Sequence, residues 1–281
     1  MSILFLVATP IGNLEDMSPR AIRVLREVQL IAAEDTRHSR KLLTHFEIHT
    51  PLTSYYEHNQ LSKLERVLAA LAAGDVALIS DAGMPGINDP GYLLVRAALQ
   101  AGHQVSPVPG PSAPVAALAA SGLPSDHFVY LGYLPAKASE RRAAIEQVAA
   151  LPYTLIWLES PHRLSAALAD LQRVLGERHV AVAAELTKLY ERFFRGTLSE
   201  AAAFYAKQPA RGEFTLVVAG AETQPQAWGE EQVKSLLQAG LATTPPSQLA
   251  KQVAAESGWP RSQVYTLLEQ LRKERIDDES E

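Results

Sequence analysis

Cysteine is absent from the 281 residues, so disulfides, thiolate nucleophiles and cysteine-ligated zinc are excluded. The eight histidines are scattered without the spacing of metal ligands, and no metal site is expected. Long apolar runs are lacking as well. Residues 3–8 are apolar, but the run is too short for a membrane span and no basic segment precedes it as in a signal peptide. A cytoplasmic protein without membrane contact is expected. There is no surplus of positive charge: the net charge is −5, so any nucleic-acid contact must rest on a local patch. The motifs G-x-G-x-x-G, G-x-x-x-x-G-K-[ST] and G-x-S-x-G do not occur, which removes support from dinucleotide, P-loop and nucleophile-elbow readings. No internal repeat or low-complexity tract is evident.

What is present is a globular composition, 47% hydrophobic and 20% charged, long enough for two domains and a small appendage. Strand-like and helix-like runs alternate. Strands are predicted at 3–8, 30–33, 76–79 and 105–108, with helices after Ser18-Pro19, over 61–73 (closed by Gly74) and over 112–121 (ended by Gly122). This βα series implies a largely parallel sheet wrapped by helices. Near Leu131-Gly132-Tyr133-Leu134-Pro135 the pattern resets. A second α/β set follows, with strands at 154–158, 180–184 and 214–219 and helices at 140–149, 161–175 and 198–207. The expected division is 1–122, 123–222 and 223–281. In the last segment residues 223–228 read as a linker, and helices are predicted at 230–238, 247–256 and 261–275. The final two flank Ser257-Gly258-Trp259-Pro260, as in a helix-turn-helix, although a small helical bundle capping the second domain fits the same pattern. Asp277, Asp278, Glu279 and Glu281 form an acidic, unstructured-looking tail.

The densest signal is the stretch 80–91, Ser-Asp-Ala-Gly-Met-Pro-Gly-Ile-Asn-Asp-Pro-Gly, between a strand and a helix. A plain connection there needs only a few residues. Its glycines allow a ligand to approach the backbone, and Asp81 falls at a strand end, where open α/β sheets bind ligands. Two further irregular loops follow strands: Ala8-Thr9-Pro10-Ile11-Gly12-Asn13-Leu14 and Pro109-Gly110-Pro111-Ser112-Ala113. The latter offers the Ser112 hydroxyl and free amides at a helix N-terminus. Three such loops at the C-terminal ends of one parallel sheet converge on one crevice.

These loops, together with Ala33-Glu34-Asp35-Thr36-Arg37 and Glu159-Ser160-Pro161-His162-Arg163, resemble the small-subunit ribosomal RNA methyltransferases among the tetrapyrrole-methylase-like (class III) S-adenosylmethionine methyltransferases. The resemblance spans about 3–220, and the C-terminal helices fit the family's helical extension. It implies an α/β protein of two methylase-type domains with a cofactor cleft between them. It also implies a homodimer, the cofactor S-adenosyl-L-methionine, and 2′-O-methylation of a cytidine ribose in the decoding region of 16S rRNA within the 30S subunit. By the same resemblance Pro10, Ile11, Gly12, Asp81, Met84, Ser112, Ala113 and Leu158 are the expected cofactor contacts. The first loop departs from that of tetrapyrrole enzymes, which argues against a porphyrinoid substrate.

Methyl transfer from a sulfonium is an in-line displacement, served mainly by positioning. A ribose hydroxyl must also lose its proton or have its alkoxide stabilised. Glu34, Asp35, His162 and Lys188 are the candidate catalytic groups, although Asp35-Thr36 equally suits a helix N-cap and His162 an ordinary first helical turn. RNA needs nearby positive charge. Arg37, Arg163 and Arg192 are the candidate substrate contacts, with Arg40, Lys41, Lys137, Arg141, Arg142, Lys188 and Arg195 also available; Arg141 and Arg142 in particular suit a solvated helix face. Tyr55, Tyr56 and Tyr133 offer base stacking. Two other functions stay open: a class III methylase acting on a small molecule such as a corrinoid precursor, and a non-enzymatic nucleic-acid-binding regulator using the C-terminal helices.

Overall fold

The computed structural model describes residues 2–56, 59–207, 211–222, 228–241 and 243–278. The chain divides into two compact units, Met1–Ala221 and Glu222–Glu281. The first unit opens with β1 (Ile3–Val7), α1 (Pro19–Glu27), β2 (Leu30–Ala33), α2 (Thr36–His45), β3 (Leu52–Ser54), α3 (Gln60–Ala73), β4 (Val76–Ile79), α4 (Tyr92–Gln100) and β5 (Gln104–Val108). Its five strands run in the order β3-β2-β4-β1-β5, and all neighbours are parallel. The central strands β2 and β4 are buried at every residue, as expected when helices cover both faces of a parallel sheet. Alternation sorts their side chains. Ile31, Ala33, Ala77 and Ile79 join Val24 and Leu25 of α1 on one face. Ala32, Val76 and Leu78 meet Val67, Leu71 and Leu94 on the other. Helix α1 starts where Ser18 Oγ accepts the Ala21 amide at 3.1 Å and Pro19 occupies the first turn.

Next come α5 (Ala113–Ser121), β6 (Phe128–Tyr133), α6 (Ala138–Glu146), β7 (Thr154–Glu159), α7 (Leu164–Leu175), β8 (His179–Ala184), β9 (Arg192–Thr197), α8 (Leu198–Lys207) and β10 (Phe214–Val218). The second sheet has the order β6-β7-β10-β8-β9. Only β6 and β7 are parallel; β7–β10, β10–β8 and β8–β9 are antiparallel. Helix α5, N-terminal to the expected boundary at 122, packs on this second sheet. Its Ala117 and Leu118 bury against Ile156, Ala181, Ala183 and Val217, where small alanines admit a helix closely. Arg195 completes the join by donating to the carbonyls of Ala120 and Ser121 (2.5 and 3.2 Å) at the α5 C-terminus, where a cation is favoured. Helix α7 begins at Leu164 rather than 161, because Ser160 O accepts the amides of both Arg163 and Leu164 in a tight turn.

The second unit holds α9 (Glu230–Gly240), α10 (Pro246–Ser257) and α11 (Arg261–Asp278), packed through Val233, Leu237, Leu249, Val253, Val264 and Leu268. The turn at 258–260 joins α10 to α11, with Gly258 left-handed (φ +71°). Trp259 Nε1 donates to Trp228 O at 2.6 Å. Of the expected linker, only Trp228 lies within the described residues. Helix α11 continues through Asp277 and Asp278, where an unstructured tail was expected; Glu279 and Glu281 lie outside the described residues. Among the described residues no helix is long and apolar enough to cross a membrane.

Candidate active site

The loops after β1, β4 and β5 meet at the C-terminal edge of the first sheet. Thr9 and Gly83 exchange backbone hydrogen bonds of 2.9 and 3.0 Å, and Thr9 Oγ1 donates to Ser80 O at 3.1 Å. The loop 80–91 then reaches the second sheet. The Asn88 amide sits on Gly132 in an irregular stretch of β6, where any Cβ would collide with it. Gly132 is also left-handed (φ +65°), so both space and backbone demand glycine. A cavity of about 250 Å³ results, lined from the first sheet by Ile11, Glu34, Asp81, Met84, Asp89, Ser112 and Ala113, and from the second by Tyr130, Tyr133, Leu158, Leu186 and Glu213.

The charged side chains lining this cavity are acidic: Glu34, Asp81, Asp89 and Glu213, with no Lys, Arg or His among the described lining residues. The ends of adjacent β2 and β4 lock two of these groups together. Glu34 Oε2 accepts the Asp81 amide and Asp81 Oδ1 accepts the Asp35 amide, both at 3.2 Å. Burial raises the Glu34 carboxyl above its usual range; the Asp81 amide partly offsets this, and the Asp81 and Asp35 carboxylates add to the rise. Asp89 is pushed up to about 6, first by burial and then by Glu34, with a hydrogen bond from Ser80 pulling the other way. Burial, Tyr133 and Asp89 lift Tyr130 to about 12. A half-buried acidic pocket of this kind favours a cationic ligand. Among the described residues no three His, Asp or Glu are placed to hold a metal ion.

A second cavity of about 350 Å³ adjoins the first and shares Ile11, Asp81, Ala82 and Glu213 with it. Its other walls include Pro10, Gly12, His38, Lys41 and Lys188. Here the first loop closes on the β8–β9 connection: a Cβ on Gly12 would lie 2.5 Å from Lys188 Cγ and 3.0 Å from Leu186 O. In that connection Glu185 and Thr187 are left-handed (φ +54° and +63°), an uncommon conformation for such residues. Lys188 Nζ lies 2.9 Å from Glu185 and 3.5 Å from Glu213. Burial lowers the Lys188 pKa, but the two carboxylates outweigh it and hold the ammonium charged.

Of the expected cofactor contacts, Ile11, Asp81, Met84, Ser112, Ala113 and Leu158 line the first cavity, while Pro10 and Gly12 line the second. Ser112 stands at the N-cap of α5 without a side-chain cap hydrogen bond. Glu34 lines the first cavity and Lys188 the second. Asp35 instead N-caps α2, accepting the Arg37 amide at 2.8 Å, and pairs with the Arg37 guanidinium at 2.9 Å. Those bonds hold its carboxyl down at about 2. His162 is exposed in the turn before α7 and lines neither cavity. Arg37 is exposed beside Asp35, and Arg192 is exposed at the start of β9. Arg163 is tied to buried Glu159 at 2.8 Å and to Leu134 O at 3.2 Å. Arg141 is no solvated helix-face residue: it is buried between α6 and α7 and paired with Asp170 at 2.7 Å. Tyr55 is fully buried in the first core and offers no stacking face, whereas Tyr133 is half exposed at the cavity. Asp89 and Glu213 were not singled out in the sequence; Asp89 stood within the quoted loop, while nothing local marks Glu213, which enters from the far sheet.

The model of the tetrapyrrole (corrin/porphyrin) methylases matches residues 4–202. Ribosomal RNA small subunit methyltransferase I from Synechocystis is 49% identical over 274 residues, covering 95% of this chain and 97% of that protein. The protein of the same name from Bacillus subtilis is 41% identical, covering 94% and 93%. Among solved structures, uroporphyrin-III C-methyltransferase from Thermus thermophilus complexed with S-adenyl homocysteine superposes with a TM-score of 0.53 at 22% identity, covering 78% of this chain and 97% of that one. A likeness at that identity speaks for the fold alone. Match, coverage and fold together make this chain a member of the tetrapyrrole methylase family, in its ribosomal RNA small subunit methyltransferase I branch.

Proposed function

We propose that the protein methylates the ribose 2′-hydroxyl of a cytidine in the decoding region of 16S rRNA, within the 30S subunit, with S-adenosylmethionine as donor. The relatives' names point to a small-subunit ribosomal RNA substrate. The observation that carries the donor assignment is the acidic cavity free of cationic side chains among its described lining residues. Its residues fit the group: Asp81, Asp89 and Glu213 suit a sulfonium and an ammonium, and the Ser112 hydroxyl with the first amides of α5 suits a carboxylate. Ile11, Met84, Leu158 and Leu186 suit an adenine. Pro10 and Gly12 shape the loop that bears Ile11. When bound, the donor supplies an electrophilic methyl group.

The protein's own task is to orient the hydroxyl and manage its proton. Glu34, with its raised pKa, accepts the 2′-hydroxyl proton at Oε; a base is most effective with a pKa near the working pH. Lys188, held charged in the wall of the second cavity, stabilises the developing alkoxide. Arg37 and Arg192 contact phosphates from the rim; Asp35 orients Arg37, and Arg163 braces the turn that carries His162. Two copies form a symmetric dimer, the commonest oligomer, through apolar surface such as Tyr92 and Leu99, 68% and 56% exposed. The test pairs calorimetry of S-adenosylmethionine with labelled methyl transfer to 30S subunits. Asp81→Ala is expected to weaken the donor by about 1.5–3 kcal/mol. Unchanged affinity in a folded Asp81→Ala protein removes the donor assignment.

A further inference from the structure

Two adjoining cavities share an acidic wall, Asp81 and Glu213, but differ beyond it. The first is lined by carboxylates alone among its charged groups, whereas the second adds His38, Lys41 and Lys188. His38 and Lys41 stand three residues apart on α2 and so project from one face, and both are solvent-exposed. Past Lys188 the β8–β9 connection exposes Leu189 and Tyr190, 88% and 77% accessible. These two are not the tips of a loose loop. Glu191 Oε2 accepts the Thr187 amide at 2.7 Å, Lys188 O accepts the Glu191 amide at 3.0 Å, and Lys188 itself is anchored on Glu185. A hydrogen-bonded turn containing left-handed Glu185 and Thr187 thus holds two adjacent large apolar side chains in water beside the cavity that carries His38, Lys41 and Lys188.

We propose that the second cavity seats the acceptor nucleotide, with His38 and Lys41 on its flanking phosphodiester and Tyr190 and Leu189 packing on a neighbouring base. This rests on the RNA-methylation reading above and specifies where that substrate sits. Charge distinguishes the two ligands: a cationic donor suits the first cavity, whose charged lining is carboxylate, and the flanking phosphate of an acceptor suits the exposed His38 and Lys41 on the outer side of the second. The shared residues Ile11, Asp81, Ala82 and Glu213 mark where the reacting atoms meet, and Glu34 adjoins that wall through the Asp81 amide it accepts at 3.2 Å. Every base has an apolar face, so a tyrosine and a leucine suit an unstacked nucleotide whatever its sequence neighbours.

The experiment uses full-length protein saturated with S-adenosylmethionine and intact 30S subunits, and compares wild type with His38→Ala, Lys41→Ala, Lys41→Arg, Tyr190→Ala and Tyr190→Trp. Removing one phosphate contact is expected to reduce the slope of log affinity against log salt by about 0.7–0.9. Lys41→Ala and Tyr190→Ala are expected to raise the KM for subunits about tenfold while leaving donor affinity at the wild-type value, and Lys41→Arg and Tyr190→Trp to restore most of the loss. Wild-type transfer with KM and salt slope unmoved in Lys41→Ala and Tyr190→Ala overturns the nucleotide seat and leaves the RNA reading standing. Loss of donor affinity in step with RNA affinity also overturns it, because the residues then serve only the fold. Absence of methyl transfer by the wild type overturns the RNA reading itself.

Discussion

Replacing Asp89 by asparagine should make the protein more stable and a poorer binder of its donor. Asp89 is half-buried beside Glu34 and Asp81, and its pKa stands at about 6 against an ordinary 3.8. Between roughly pH 4 and 6 the folded protein keeps a proton on Asp89 that the unfolded chain releases. Stability therefore falls as pH rises through that window, and the full cost is present above pH 6. A displacement of about two pKa units corresponds to roughly 3 kcal/mol at pH 7.5. Asp89→Asn removes the charge, keeps an oxygen to accept the Ser80 hydrogen bond, and should recover up to about that amount in the donor-free protein. The assay is urea unfolding of both proteins from pH 4 to 8. The stability difference should be near zero at pH 4 and grow to a plateau above pH 6.5. With saturating S-adenosylmethionine the gap should shrink or reverse, because the bound cation stabilises the Asp89 carboxylate. A difference that does not vary with pH would refute both the acidic pocket and the role given to it.

Other outcomes follow from the same contacts. Gly12→Val drives a side chain into Lys188 Cγ and Leu186 O and should lower methyl transfer about 10²-fold, the scale of an ångström's misplacement, while circular dichroism stays native. Glu34→Gln should slow transfer by about 10²–10⁴-fold with donor affinity changed far less, as calorimetry and single-turnover rates will show. Arg141→Ala leaves Asp170 with only the longer Arg142 contact at 3.3 Å and should cost up to about 3 kcal/mol in chemical denaturation without altering donor affinity. Light scattering at micromolar concentration should give twice the 30.5 kDa chain mass; a monomer alone would remove the dimer.

The first sheet was legible because its strands are buried on both faces and so read as short apolar runs, such as Leu30–Ala33 and Val76–Ile79. Three of the four edge strands were not; only β5 was expected, over 105–108. β3 has only three residues, β6 is interrupted at Gly132, and β9 reads Arg-Phe-Phe-Arg-Gly-Thr, with arginine at two of its first four positions. The antiparallel order of the second sheet had no local signal: β8 returns to β9 through a seven-residue connection with no helix, and nothing in 185–191 announces that. Loop composition marked the crevice, because a twelve-residue loop with three glycines and two prolines exceeds what a plain connection from strand to helix needs. The acidity of the pocket became visible only in three dimensions, where Glu34, the loop residues Asp81 and Asp89, and Glu213 of the far sheet meet from three separate stretches of the chain. Arg141 and Tyr55 misled for the opposite reason: residue type suggested solvent and ligand, but an ion pair and a core claimed them.

The most direct measurement is nucleotide-resolution ribose-methylation mapping of 16S rRNA. The 30S subunits come from cells lacking the protein, and are mapped before and after incubation with the purified protein and S-adenosylmethionine. The expected result is one new 2′-O-methyl group on a cytidine in the decoding region, absent with S-adenosylmethionine omitted and strongly reduced with Glu34→Gln. Unmodified 16S rRNA together with methylation of a corrinoid precursor by the same preparation would contradict it.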